Sequence, residues 1–160
     1  MIFTNPFLEP SLLKLIDTYI NQSWNRYEWR TSMDWGVDIK RFSTPVGILQ
    51  APEEFCTPIK KLFNRSIDNK GIMFYFWPPG SYIGWHNDKE YSFGATIYLN
   101  KTWDINHGGI FLYHEGNSLK AHKPTYNTCV INNKKTYHCV SITAPDAPIR
   151  TTIQVLGSHA

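Results

Sequence analysis

The chain reads as a mainly β fold with N-terminal helices, closing into a jelly roll. Three observations predict this. The first seventy residues carry two apolar stripes at helical spacing, and the residues after Gly71 carry short β-type runs separated by turn residues. No helical period interrupts those runs, which fits a sandwich or barrel and not alternating parallel units. With 160 residues, 42% hydrophobic and 18% charged, the chain can bury a core and is too apolar for disorder.

Taken in order, Glu9-Pro10-Ser11 opens a helix whose stripe is Leu12, Leu13, Leu15, Ile16, Tyr19 and Ile20. A second helix is expected from near Pro52, with Phe55, Ile59, Leu62 and Phe63 on one face and Pro58 kinking it or limiting its first turn. Between the two, Trp24, Trp29 and Trp35 are expected core plugs, with a substrate-covering lid as the alternative. Strands are expected at 72–77, 82–86, 95–99, 110–114, 128–131, 136–142 and 150–156. One domain over residues 1–160 follows, with a helical prelude to about residue 70 and a β core from about 71 to 157.

Composition narrows the function classes. The net charge of +3 comes from 16 basic and 13 acidic residues scattered along the chain, so no basic block marks a nucleic-acid surface. No apolar span is long enough for a membrane helix, and the first residues lack the pattern of a secretory signal. Cys56, Cys129 and Cys139 form an odd set without metal or redox spacing and read as buried free thiols, although Cys129 and Cys139 could face each other across strands. The expectation is a reduced, cytoplasmic protein. Nothing in the sequence speaks to oligomeric state.

The most informative stretch is Gly84-Trp85-His86-Asn87-Asp88. In extended chain, residues i and i+2 point to one face, so His86 and Asp88 can reach one metal ion together. Two imidazoles and one carboxylate on one face of an octahedron leave open positions and suit non-haem Fe(II). A second histidine must come from elsewhere, and His138 on a late strand is well placed. His-x-Asp alone is a weak signal. His107, His114, His122 and His159 read as ordinary hydrogen-bonded or surface imidazoles.

Arg150 strengthens the case. If the strands at 136–142 and 150–156 pair across the turn at 143–148, Arg150 sits deeper in the barrel than His138. Its guanidinium could grip a carboxylate with two parallel hydrogen bonds, and Thr152 on the same face could add a hydroxyl. A surface arginine at a strand start is the alternative.

Residues from about 72 to 156 resemble the prolyl-hydroxylase-like branch of the iron(II)- and 2-oxoglutarate-dependent oxygenases. The resemblance rests on Pro79-Gly80 before His86-Asn87-Asp88, then Tyr98-Leu99-Asn100 followed by Trp103 and Gly108-Gly109, then His138 with Val140, and finally Arg150. It implies a double-stranded β-helix, with Fe(II) held by His86, Asp88 and His138. It also implies 2-oxoglutarate and O2 as cosubstrates, with the far carboxylate of 2-oxoglutarate on Arg150 and Tyr98. For Tyr98 a plain core role, its hydroxyl satisfied by backbone, is the alternative. The sequence departs from the branch where a tyrosine is common about ten residues before the first metal histidine: here stands Trp77, with Tyr75 and Tyr82 nearby. The loop from Asn87 to Phe93 is also short. Asp88 favours hydroxylation, because related halogenating enzymes leave the carboxylate position to chloride. Phe74, Phe76 and Trp85 are candidate walls of a dry site, or simple core residues.

Several functions fit. A hydroxylase of a prolyl residue in a protein or peptide leads; a small-molecule hydroxylase, for instance of a free amino acid, is second. A non-catalytic jelly-roll binding module, or a metal enzyme that uses the same ligands without 2-oxoglutarate, completes the set.

Overall fold

The computed structural model describes residues 1–23, 28–30 and 44–158; Trp24, Trp35, His159 and the side chain of Trp29 lie outside the described parts. In chain order the elements are β1 (Ile2–Thr4), α1 (Pro10–Ser23), β2 (Glu28–Arg30), β3 (Val46–Gln50), α2 (Glu53–Phe63), β4 (Ile72–Trp77), β5 (Ile83–His86), β6 (Gly94–Tyr98), β7 (Phe111–Glu115), β8 (Ser118–His122), β9 (Cys129–Asn132), β10 (His138–Val140) and β11 (Arg150–Leu156). They form two antiparallel sheets, of seven strands in the order β1-β9-β6-β11-β4-β3-β2 and of four in the order β5-β10-β7-β8. The two sheets face each other and make the expected jelly roll, while the helices cover the outer face of the larger sheet.

Alternation along the central strands explains the three layers. In β4, Ile72, Phe74 and Phe76 pack with Leu13 and Ile16 of α1 and Phe55, Ile59 and Phe63 of α2. On its other face, Met73, Tyr75 and Trp77 belong to the core between the sheets, with Ile83, Phe111 and Val140. Strand β11 divides in the same way: Ile153 and Val155 face the helices, whereas Arg150, Thr152, Gln154 and Leu156 line a cavity between the sheets. A strand covered on both faces reads as a near-continuous apolar run, which is why 72–77 stood out in the sequence.

The structure corrects several expectations. The first seventy residues also contribute β1, β2 and β3, all in the larger sheet. Val46–Gln50 lies between β2 and β4 and was missed because a run apolar on both faces carries no period. Edge strand β8 was missed for the opposite reason: four of its five residues are exposed. The expected stripes were one residue too wide, since Leu15 and Leu62 are exposed. Helix α2 continues through Pro58 to Phe63, with Glu53 and Glu54 in its first turn and Lys60 and Lys61 in its last, both favourable to the helix dipole. Cys56, Cys129 and Cys139 are buried free thiols, as expected. No described helix is long and apolar enough to cross a membrane.

This layering predicts a contrast in stability. Ile153→Ala, at a fully buried position facing the helices, should cost about 2–5 kcal/mol in urea unfolding. Leu15→Ala, at an exposed position, should cost less than about 0.5 kcal/mol.

Candidate metal centre and anion pocket

Register builds the site. Strands β5 and β10 pair so that His86 and His138 are directly opposite residues, which places both side chains on one face of the smaller sheet. Their ring centroids are 4.2 Å apart. Asp88 follows two residues after His86, and its carboxylate lies 3.8 Å from His86 Nε2 and 3.7 Å from His138 Nε2. The three side chains put one donor atom each within 4.8 Å of the others, the spacing of a candidate metal centre.

Hydrogen bonds behind the rings aim them. His86 Nδ1 bonds the Gly84 carbonyl at 2.7 Å, and His138 Nδ1 bonds the Thr136 carbonyl at 2.8 Å. A carbonyl only accepts, so Nδ1 of His86 carries the proton and its Nε2 presents a lone pair to the centre; at His138 the shorter contact to the Thr136 carbonyl favours the same tautomer over acceptance from Asn132 Nδ2 at 3.2 Å. The turn that sets His138 is held by Asn132, which accepts from Thr136 N and donates to Thr136 O. Burial, helped by the neighbouring His138, lowers the pKa of His86 to about 4 against the opposing pull of Asp88 and the Gly84 carbonyl. His86 is therefore neutral at pH 7 and ready to bind a metal.

Gly94 was not singled out from the sequence, yet it makes room for the carboxylate. A Cβ there would fall 2.3 Å from Asp88 Oδ2. Gly109 does the same for the arginine: at φ +63°, an added Cβ would press on the Arg150 side chain at 3.1 Å and on Trp103 at 3.3 Å.

Arg150 reaches the cavity from across the sandwich, and here the sequence reading needs correction. Strands β10 and β11 do not pair; β10 lies between β5 and β7, and β11 lies between β4 and β6 in the facing sheet. The arginine is 1% exposed, its Nε has no hydrogen-bond partner, and no described carboxylate pairs with it. Its guanidinium lies 5.5 Å from the Trp77 ring and 5.2 Å from the Tyr98 ring. Two aromatic faces do not replace a counter-charge, and burial pulls the arginine pKa down.

Thr152 is buried beside it and accepts a hydrogen bond from Trp77 Nε1 at 3.4 Å. Tyr98, directly opposite Thr152 on β6, is buried and its hydroxyl has no hydrogen-bond partner. No described backbone group satisfies that hydroxyl. Burial raises its pKa, while the adjacent Arg150 opposes the shift.

The candidate metal ligands and the arginine share one cavity of about 190 Å³. Its dry walls are Trp77, Ile83 and Phe111. Phe74 and Phe76 instead face the helices, and Trp85 is exposed on the outer surface, so they are not its walls. Further along β11, Gln154 accepts a hydrogen bond from Thr96 at 2.8 Å and lines the same space. Neither residue carries a motif that the sequence could have flagged.

The fold has close counterparts among solved structures. A prolyl-4-hydroxylase from Pseudomonas putida superposes with a TM-score of 0.75 at 12% identity, over 99% of this chain and 92% of that one. A prolyl hydroxylase from Trichoplax adhaerens, in complex with a hypoxia inducible factor oxygen degradation domain peptide fragment, gives 0.74 at 16% identity, over 97% and 81%. An oxidoreductase of the 2OG-Fe(II) oxygenase family from Burkholderia pseudomallei gives 0.69 at 17% identity, over 97% and 83%. No protein-family model matches the chain, and no curated protein matches it by sequence. The architecture is that of the oxygenase jelly roll.

The room at Gly94 yields a test. Gly94→Ala should keep the fold, read by circular dichroism, while weakening Fe(II) binding at least about tenfold in an anaerobic titration, because the methyl group displaces one of the three donors.

Proposed function

We propose that this protein is an iron(II)- and 2-oxoglutarate-dependent dioxygenase that hydroxylates a C–H bond. The observation that carries the reading is one cavity holding both a His86–Asp88–His138 cluster and a buried, unpaired arginine. The cluster suits a metal that keeps open positions, and the arginine needs a carboxylate. A diacid that chelates the metal with one end and meets Arg150 with the other answers both requirements.

The residues fit these groups. His86, Asp88 and His138 would hold Fe(II), and Arg150, Tyr98 and Thr152 would hold the far end of 2-oxoglutarate. When bound, Fe(II), 2-oxoglutarate and O2 supply oxidative decarboxylation to succinate and CO2, coupled to hydroxylation of substrate. The chain itself does the rest. Its Nδ1 bonds orient the imidazoles, Trp77, Ile83 and Phe111 exclude water, and Arg150 sets the angle of the cosubstrate. Residues on one face of β11 repeat about every 6.6 Å. Thr152 and Gln154 therefore follow Arg150 at that spacing on the cavity face of β11.

We further propose that the substrate is a prolyl residue in a protein or peptide. Two of the structural counterparts are prolyl hydroxylases, and one was solved with a peptide fragment in place. Succinate release with proline-containing peptides, compared with free amino acids, separates this from a small-molecule hydroxylase.

Two outcomes test the cofactor assignment. Wild-type protein with Fe(II) and 2-oxoglutarate under anaerobic conditions should show a weak visible charge-transfer band, absent in His138→Ala; a wild type that binds iron without the band would refute it. Arg150→Met should raise the 2-oxoglutarate concentration needed for the band at least about thirtyfold. The same substitution should leave the melting temperature of the metal-free protein unchanged or higher, since it removes an uncompensated buried charge at similar volume.

A further inference from the structure

Tyr98 and Arg150 are not the end of the buried polar line. His122, the last residue of β8, pairs with inward-facing Phe111 and so points between the sheets. Its ring centroid is 5.9 Å from that of Tyr98, with the planes 31° apart. On its outer side, Phe3 of β1 covers it at 4.7 Å. His122 Nε2 is out of solvent and has no hydrogen-bond partner. Three buried side-chain atoms without partners, Arg150 Nε, Tyr98 Oη and His122 Nε2, thus belong to consecutive neighbours in one inter-sheet line.

A phenol has a single proton to direct. Donated to a carboxylate seated on Arg150, it strengthens the anchor; turned toward a neighbouring acceptor, it leaves an oxygen lone pair facing the anion. Whatever donates to Tyr98 Oη from behind decides between these two states. Arg150 stands on one side of the phenol, and His122 is the polar side chain whose ring packs on Tyr98 from the facing sheet.

We infer that His122 is a positioning residue for the far carboxylate of the cosubstrate, acting through Tyr98. Its Nε2–H reaches the Tyr98 hydroxyl through one bridging water and turns the phenol proton toward the anion. The inference rests on the 2-oxoglutarate reading and extends it to a histidine outside the metal centre. It also gives β1 a purpose at the site, because Phe3 closes the sandwich edge over His122.

The test is an anaerobic titration of the Fe(II)-loaded protein with 2-oxoglutarate, read by the visible band, so no substrate or turnover is needed. His122→Phe should weaken 2-oxoglutarate binding about five- to tenfold, the worth of one hydrogen bond, and leave Fe(II) affinity unchanged. His122→Gln, which keeps an N–H near the Nε2 position, should restore binding to within about twofold of wild type. Tyr98→Phe should lose a comparable amount, and Tyr98→Phe/His122→Phe should lose no more than the larger single loss, because the two groups act as one unit. The inference is overturned if His122→Phe binds 2-oxoglutarate like wild type, if His122→Gln is as weak as His122→Phe, or if the two single losses add. A wild type without the band refutes the oxygenase reading itself, and the inference with it.

Discussion

Strand β11 has to satisfy two opposed environments at once, and the rest of the molecule follows from how it does so. Its Ile153 and Val155 are fully buried against the helical layer, whereas Arg150 and Thr152, offset by one residue, carry polar groups into the cavity. Only a strand offers this: successive side chains alternate, so an apolar wall and a charged pocket are built from neighbouring residues. A slip of one residue against β4 or β6 would bury the arginine under helices and expose isoleucine to the cavity. The long ladders to Trp77–Ile72 and Tyr98–Gly94 hold that register.

The candidate metal centre depends on register in the smaller sheet. His86 and His138 meet because they are opposite residues of β5 and β10, and their ring orientations are set by carbonyls only two residues away, on Gly84 and Thr136. Pre-orientation of this kind does not need a bound ion. Asp88 differs in lying beyond the end of β5, where its position depends on the space left by Gly94. Two of the three candidate ligands thus come from strands and the third from a loop end.

A buried arginine without a counter-ion is costly in the free protein. Here the guanidinium lies against the Trp77 and Tyr98 rings, with Gly109 leaving room for its stem. An anion seated there would gain a charge pair without first ordering a long side chain.

Much of this was legible in the sequence, and the reasons are local. The β11 alternation, the two helical stripes and the His-x-Asp spacing each depend on the geometry of a few consecutive residues, so they survive without tertiary context. The order of Tyr98, Trp103, Gly108-Gly109, His138 and Arg150 also pointed to the jelly roll. What the sequence by itself could not decide was which face of each strand meets which layer. The run 72–77 is aromatic throughout, and only packing assigns Phe74 and Phe76 to the helices and Trp77 to the arginine. Likewise, Arg150 faces His138 from the opposite sheet and not from a neighbouring strand, because strands close in sequence are separated by the sandwich. Gly94 beside Asp88 and His122 beside Tyr98 are contacts between residues in different elements, and no spacing rule encodes them. Period and ligand type are properties of the local chain; which side chains share a buried space is settled only when the two sheets close on each other.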